Sequence, residues 1–414
     1  MTQAWRILTA LAAGLALGAA WHWAAWPAME PVTGAAEAIG GLWLDALKMT
    51  IVPLVFALIV SGIISTTNAA AAGRITGRSI LLFAVLLPAG AAVGVLVALP
   101  LLALWPIPQD AAAALVAAVP AADAVPVAAT SPFDFVRAFI APNVFAAAAD
   151  GAMLALAVFA LIFGFAVTRI EAARQAALRT FFEAIAEAML VIVHWVLMVA
   201  PIGVFALAFV VGARTGFDSL GAFAHYVAIV SLVLVVITLV AYPLAVLAGR
   251  IGLGAFARAM IPAQSVAIST QSSLASLPAM IEAARGPLGL PPQVVGITLP
   301  LAVSLFRFTS APGNLAVAIY LAGLYGIDLS FWQLASGVVV AAIVSVAAVG
   351  IASAVTFFAL LAPICLAMGV PIELLALLIA VETIPDIFRT VGNVTADVAV
   401  TTVVARSRRS AIAP

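Results

Sequence analysis

The chain is written mostly as long apolar blocks separated by short polar or proline-rich stretches. Blocks at approximately 49–70, 79–104, 150–168, 181–212 and 222–249 each suit one tilted membrane-spanning helix of about 20 or more residues. The stretch TQAWRILTALAAGLALGAAWHWAAW near the start holds roughly 19 apolar residues behind one basic residue, and a signal peptide is the competing reading. Its length, its tryptophans in place of a small-residue cleavage site and the many spans that follow favour a first transmembrane helix. Trp21, Trp23 and Trp26 would then mark the outer interface.

After residue 250 the pattern changes. Residues 259–284, AMIPAQSVAISTQSSLASLPAMIEAA, form two apolar arms of roughly ten residues around the polar tip TQSS, each too short for a bilayer about 30 Å thick. A re-entrant hairpin is expected, since irregular backbone at membrane depth survives only when buried in protein or lining a cavity. A full span is expected over 294–324. Residues 334–369 are too long for one span and lack a charged turn for two, so a second hairpin with its tip near 350–354 is expected. A last span covers about 373–405. Hairpin and helix, repeated in opposite orientations, is the pattern that points to a transporter's midplane site. For either hairpin the competing reading is an ordinary helix with a small-residue packing face.

Within the last span Glu382, Asp386, Arg389, Asn393 and Asp397 recur at helical spacing, inside an arc of about 80°. Each charge at the centre of a spanning helix costs roughly 2.5 to 3.5 kcal/mol on insertion scales, so the stripe must face the bundle interior or an aqueous cavity. An internal ladder joining Arg389 to Glu382, Asp386 and Asn393 is the bland reading. It leaves Asp397 unpaired and the stripe in negative excess, which favours a functional role. Pro385 is expected to free the carbonyl of Val381 and kink the helix. Arg307, inside the preceding span and followed by the polar break TSAPGN, is expected to point inward, with a snorkelling position as its alternative.

Composition agrees with a membrane protein: 66% of the 414 residues are hydrophobic and 8% charged, where a soluble domain carries about 25%. The zero formal net charge gives no support to a nucleic-acid partner. A single cysteine, Cys365, excludes an internal disulfide and a cysteine-based metal cluster. His22, His194 and His225 lie far apart in apolar runs and read as packing or interfacial residues. Arginines at 6, 74, 78, 169, 174, 179, 250, 258, 406, 408 and 409 alternate as the positive-inside rule expects, placing both termini in the cytoplasm. The stretch from about 105 to 145, with Asp110, Asp123 and Asp134, falls outside.

Several ordered stretches resemble the dicarboxylate/amino acid:cation symporters, the glutamate transporter family. LKMTIVPLVFALIVSGI at 47–63 is similar to that family's second helix and FFEAIAEAMLVIVHWVLMVAPIGVFAL at 181–207 to its fifth. QSSLASLP at 271–278 is similar to the first hairpin tip, and DIFRTVGNVTAD at 386–397 to the eighth helix. The resemblance implies an all-α membrane protein with eight transmembrane helices and two re-entrant hairpins in inverted repeats. It implies a homotrimer in the cell (inner) membrane whose transport domain moves as an elevator. Residues 1–78 would be scaffold helices 1 and 2, 79–104 transport-domain helix 3, and 105–149 an extracellular loop. Residues 150–212 would be scaffold helices 4 and 5, 219–250 transport-domain helix 6, and 252–414 the transport core. Asp386 would meet a substrate ammonium and Arg389 a side-chain carboxylate. Asn393 and the backbone at Ser272 and Ser273 would hold an α-carboxylate, Thr390 and Ser310 would complete the substrate set, and Asp397 would be a sodium ligand. Arg389 offers the planar fork that bidentate carboxylate binding needs, and Asp386 the opposite charge that an amino acid needs and a plain dicarboxylate does not.

The departures weaken the sodium expectation. Where the family places an Asn-Met-Asp-Gly-Thr-like motif, this chain has Phe306, Arg307, Phe308, Thr309 and Ser310. Ala84, Leu87 and Pro88 stand where the third helix should supply oxygens, and Gln271 replaces the first-hairpin arginine. GIASAVTFF lacks the glycine- and proline-rich tip of the second hairpin. Hard cations need several oxygen ligands. Arg307 is therefore expected to partner Asp397 in place of a sodium ion, with Glu382 or Asp386 as the carrier of a coupling proton, or with uncoupled exchange as the alternative. The expectation is a transporter of an acidic amino acid or related dicarboxylate, without an organic cofactor, using sodium weakly or not at all. A substrate sensor and an anion channel are the rivals. An intramembrane enzyme is disfavoured because no HExxH or GxSxG motif occurs.

Overall fold

The computed structural model describes residues 3–24, 29–71, 73–118, 132–217, 219–347 and 353–409; among these it is all-helical. The chain opens with α1 (Gln3–Ala24), α2 (Met29–Lys48), α3 (Ile51–Ala71) and α4 (Arg74–Leu104). Short helices α5 (Gln109–Ala118), α6 (Pro132–Arg137) and α7 (Val144–Ala149) occupy parts of the stretch that reads as a loop from sequence. Then come α8 (Met153–Val167), α9 (Ala172–Met198), α10 (Ala200–Thr215) and α11 (Leu220–Pro243), the last running into a π-helical turn over Leu244–Ala248. The chain continues through α12 (Leu253–Thr270), α13 (Ser273–Arg285), α14 (Pro292–Leu305) and α15 (Ser310–Leu324). It closes with α16 (Phe331–Ala347), α17 (Ser353–Met368), α18 (Leu375–Leu378) and α19 (Thr383–Arg409). Six stretches among the described residues are long and apolar enough to cross a membrane.

Proline decides several boundaries that apolarity alone does not mark. The expected span over 181–212 is two helices, because Pro201 lacks an N–H to continue α9 and instead sits in the first turn of α10. Pro385 likewise does not kink a continuous helix. The chain forms turns over 379–382 and α19 starts at Thr383, so Pro385 lies in the first turn, where no intrahelical donor is missed. The expected span over 294–324 breaks between Leu305 and Ser310. The second block is longer than expected: α2 precedes α3 with only Met49 and Thr50 between them.

The first expected hairpin has arms of 18 and 13 residues, longer than the sequence suggested, packed against each other around a two-residue turn. Gln271 takes the left-handed conformation (φ 50°) that stops α12, and Ser272 caps α13 by accepting the amide of Ala275 at 3.2 Å. Tip residues 350–352 of the second hairpin lie outside the described ones. Its flanking helices α16 and α17 pack together.

Helix α1 lies along α10, α10 on α2, and α3 on α8 and α9. Gly14 and Gly18 bring α1 against the backbone of α10: a Cβ at Gly18 would collide with the carbonyl of Phe209. Around α19 stand α4, α11, α12, α13 and α14. The carboxyl-terminal charged helix is thus enclosed by protein. Lys48, ending α2, pairs at 3.1 Å with the buried Glu373 ahead of α18 and ties the two sets of helices together.

Candidate functional site

The site forms where α19 crosses the break between α14 and α15. Leaving a helix at membrane depth strands backbone donors and acceptors, and each needs a partner inside the protein. Asn393 supplies one. Its Oδ1 accepts the backbone N–H of Thr309 at 2.9 Å, which fixes the amide so that Nδ2 faces Ser310 Oγ at 3.4 Å. The Thr309 hydroxyl lies 2.6 Å from the carbonyl of Arg389 and 2.9 Å from Asn393 Oδ1 and donates to one of them. The carbonyl of Asn393 is therefore committed, and only its N–H edge can serve a ligand. That is the polarity a carboxylate requires.

Arg389 and Asp386 are buried at 5% exposure and Glu382 at 6%. Its Nη2 donates to Glu382 Oε1 at 2.5 Å, while Nη1 lies 3.8 Å from Asp386 Oδ1. The other oxygen of Glu382 accepts the hydroxyl of Tyr226 on α11 at 2.6 Å. Glu382 sits in the turn ahead of α19 and not on the helix itself. The bland ladder is thus partly present, yet it leaves groups unsatisfied: Arg389 Nε, Asp386 Oδ2 and both carboxylate oxygens of Asp397 are buried without a hydrogen-bond partner. Thr390 spends its hydroxyl on the carbonyl of Asp386 at 2.9 Å.

Arg307 is half-buried, in the break itself, and within electrostatic range of Asp386, Arg389 and Asp397. Among the described residues it makes no ion pair with Asp397; the expected direct pairing is not formed. The reason lies in the local backbone. Phe306 stacks on Phe83 of α4 at 4.7 Å and Phe308 packs beside it at 5.5 Å, and Gly90 of α4 makes room for the ring of Phe308. These rings anchor the break on either side of Arg307 and fill the space against α4 with carbon. A sodium shell of the seventh-helix type does not fit residues that present Leu87, Phe306 and Phe308 in place of oxygens. Asp397 alone supplies one carboxylate. Among the described residues no group of three or more His, Cys, Asp or Glu side chains could hold a metal ion.

Ser272 and Ser273 are half-buried at the tip between α12 and α13, and α13 packs on α19. Among the described residues neither makes a hydrogen bond to Asp386, Arg389 or Asn393. Gln264 makes the polar tie instead: its amide donates to Thr395 Oγ1 of α19 at 2.9 Å and to Tyr242 Oη of α11 at 3.1 Å. Tyr226, Thr309 and Gln264 are site residues that sequence reasoning missed. Tyr226 carried one readable signal, a polar-tipped ring in the middle of an apolar block. Of the histidines, His225 is buried with Nδ1 3.1 Å from Tyr320 Oη and Nε2 3.2 Å from the carbonyl of Trp105, and His22 bonds the carbonyl of Ala213. A cavity of about 400 Å³ between α7, α8 and α17 lies away from these charges; Asp150 is the one charged residue in its largely apolar lining.

The model of the sodium:dicarboxylate symporter family matches residues 4–407. The chain belongs to that family. The proton/glutamate-aspartate symporter of Escherichia coli K12 is 30% identical over 409 residues, covering 97% of this chain and 92% of that protein. The proton/sodium-glutamate symport protein of Bacillus caldotenax is 28% identical, with coverage of 94% and 91%. C4-dicarboxylate transport protein 2 of Bradyrhizobium diazoefficiens is 29% identical, with coverage of 84% and 76%. As a member of the symporter family the chain is a membrane transporter and not an enzyme. The stripe on α19 is therefore a transporter's buried polar cluster. Its bonds to the α14–α15 break join the two segments that the sequence singled out for their charges.

Proposed function

We propose that this transporter is a secondary carrier for an acidic amino acid, aspartate- or glutamate-like, or a related dicarboxylate, in the cell (inner) membrane. One observation carries the reading. On a single buried helix turn, Arg389 keeps an N–H without an acceptor and Asp386 keeps an oxygen without a donor. An acidic amino acid supplies both complements, a side-chain carboxylate and an ammonium. A plain dicarboxylate supplies only the first, so the amino acid is preferred. The Nδ2–H of Asn393 and the backbone at Ser272 and Ser273 would take the α-carboxylate, with Ser310 beside them and Thr390 bracing the turn that carries Asp386. The names of the relatives agree with either substrate class.

Movement would be of the elevator type. In this reading α4 and α11–α19 travel as the transport domain against α1–α3 and α8–α10, which would also form the trimer seam, with the two helical hairpins as gates. Coupling would use a proton in place of most or all of the sodium. Arg307 stands as a fixed positive charge near Asp386 and Asp397, and the surrounding phenylalanines offer no oxygen to a hard cation. The test is uptake of labelled glutamate and aspartate into liposomes with sodium replaced by choline under an imposed pH gradient. Uptake driven by the pH gradient alone is expected; uptake that needs sodium throughout would refute the coupling, and binding without flux would refute the carrier.

A further inference from the structure

Tyr226 is fully buried, and its hydroxyl donates to a carboxylate and not to a backbone carbonyl one turn away. A phenylalanine would fill the same space, so the hydroxyl is there for the contact with Glu382. That contact controls a third residue. Glu382 has two oxygens, and a carboxylate facing a guanidinium ordinarily engages it with both. Tyr226 donates to Oε2 at 2.6 Å, and Oε1 alone bonds Arg389, through the single nitrogen Nη2 at 2.5 Å. The guanidinium is held by one oxygen of Glu382, and its buried Nε stays unbonded.

The tyrosine ring is itself fixed. It meets Tyr320 of α15 edge-on at 5.3 Å and 71°, and Tyr320 donates to the carbonyl of Ala222 at 2.9 Å, one turn before Tyr226 on α11. Two helices thus clamp the ring that clamps Glu382. We propose that Tyr226 is a positioning residue. By holding back one oxygen of Glu382 it keeps an edge of Arg389 open for the substrate's side-chain carboxylate, and so sets the preference for acidic over neutral side chains. This rests on the reading of Arg389 as the carboxylate fork. Without the hydroxyl, Glu382 closes on Arg389 with both oxygens and competes directly with the substrate.

The experiment is a double-mutant comparison on the full-length protein in detergent or liposomes. It measures dissociation constants for glutamate and aspartate and for their amides, glutamine and asparagine. Tyr226→Phe is expected to weaken the acids about ten-fold, the scale of one charge-assisted hydrogen bond, and the amides by less than about two-fold. In a Glu382→Gln background, where residue 382 has no carboxylate to close on the guanidinium, Tyr226→Phe is expected to leave the acid-to-amide ratio unchanged. Equal weakening of acids and amides, or the same loss in both backgrounds, would overturn the proposal in favour of a merely structural tyrosine. A cryo-electron-microscopy map of ligand-free Tyr226→Phe decides the matter independently of what the carrier transports. Glu382 engaging Arg389 through both oxygens is expected, and an unchanged one-oxygen contact overturns the positioning role. A wild-type protein that binds no acid would sink the transport reading while leaving that map to judge Tyr226.

Discussion

Two helix crossings in this transporter are made by opposite means. Between α1 and α10 the backbones meet because side chains are missing: Gly14, Gly18 and Gly212 let the two regular helices touch. Between α19 and the α14–α15 break the backbones meet because side chains are present. Asn393 holds the stranded amide of Thr309, the Thr309 hydroxyl bonds back to α19, and Arg389 is gripped by Glu382. The difference follows from what each backbone can do alone. An intact helix satisfies its own donors and acceptors and needs only shape from its neighbour. A broken one needs chemistry, and at membrane depth no solvent supplies it. The first crossing suits a rigid joint; under the proposed function the second would be a chamber whose contacts a ligand can exchange.

The largest effect that would test this contrast is at Arg389. Arg389→Ala leaves Glu382 and Asp386 buried without the guanidinium beside them. Removing one partner of a buried pair costs about 3–5 kcal/mol, so a marked drop in thermal stability and loss of acidic-substrate uptake are both expected. Uptake within about ten-fold of wild type would show that the polar crossing is structural only. Gly18→Val tests the other end. Its side chain would meet the carbonyl of Phe209 and force α1 from α10, with an expected loss of about 1–3 kcal/mol measured by thermal unfolding. The dissociation constant of the folded fraction for glutamate should not move. A parallel loss of affinity would mean that the two crossings act as one unit.

How much of this was legible beforehand follows the same division. Composition and block length identified a polytopic helical membrane protein. Helical spacing put Glu382, Asp386, Arg389, Asn393 and Asp397 on one face; all five are buried, though Glu382 lies in the turn ahead of α19 and not on the helix. Spacing reports which residues share a face, and burial of a charged face is forced in a membrane. It does not report partners contributed by other helices. Tyr226 lies on α11, far from Glu382 in sequence, and its role depends on how α11 packs on α19. The breaks at Val199 and at 306–309 were hidden for a related reason, since apolar runs look continuous whether the backbone is helical or not. Pro201 marks the first; at the second, Arg307 and the polar TSAPGN were visible, but the apolar Phe306 and Phe308 beside them gave no sign that the helix stops there. Arg307 shows the limit most plainly: its charge read as inward-pointing, and it lies half-buried within electrostatic range of Asp386 and Asp397, but whether it touches Asp397 depends on where two phenylalanine rings anchor the backbone beside it.

The smallest expected effect is at Thr309, and it separates the parts of the polar crossing. Thr309→Val keeps the shape and the backbone N–H that Asn393 accepts, and removes only the hydroxyl that lies 2.6 Å from the carbonyl of Arg389. That carbonyl still has its intrahelical partner, so the loss should sit near about 1 kcal/mol, well below the effect of Arg389→Ala. Thr309→Ser should recover most of it. Thermal unfolding of both variants checks the stability, and glutamate binding by calorimetry checks whether the Arg389 fork has shifted. If Thr309→Val were as damaging as Arg389→Ala, the hydroxyl and not the Asn393 amide would be what closes the broken backbone. The chamber would then owe its shape to α15 more than to α19.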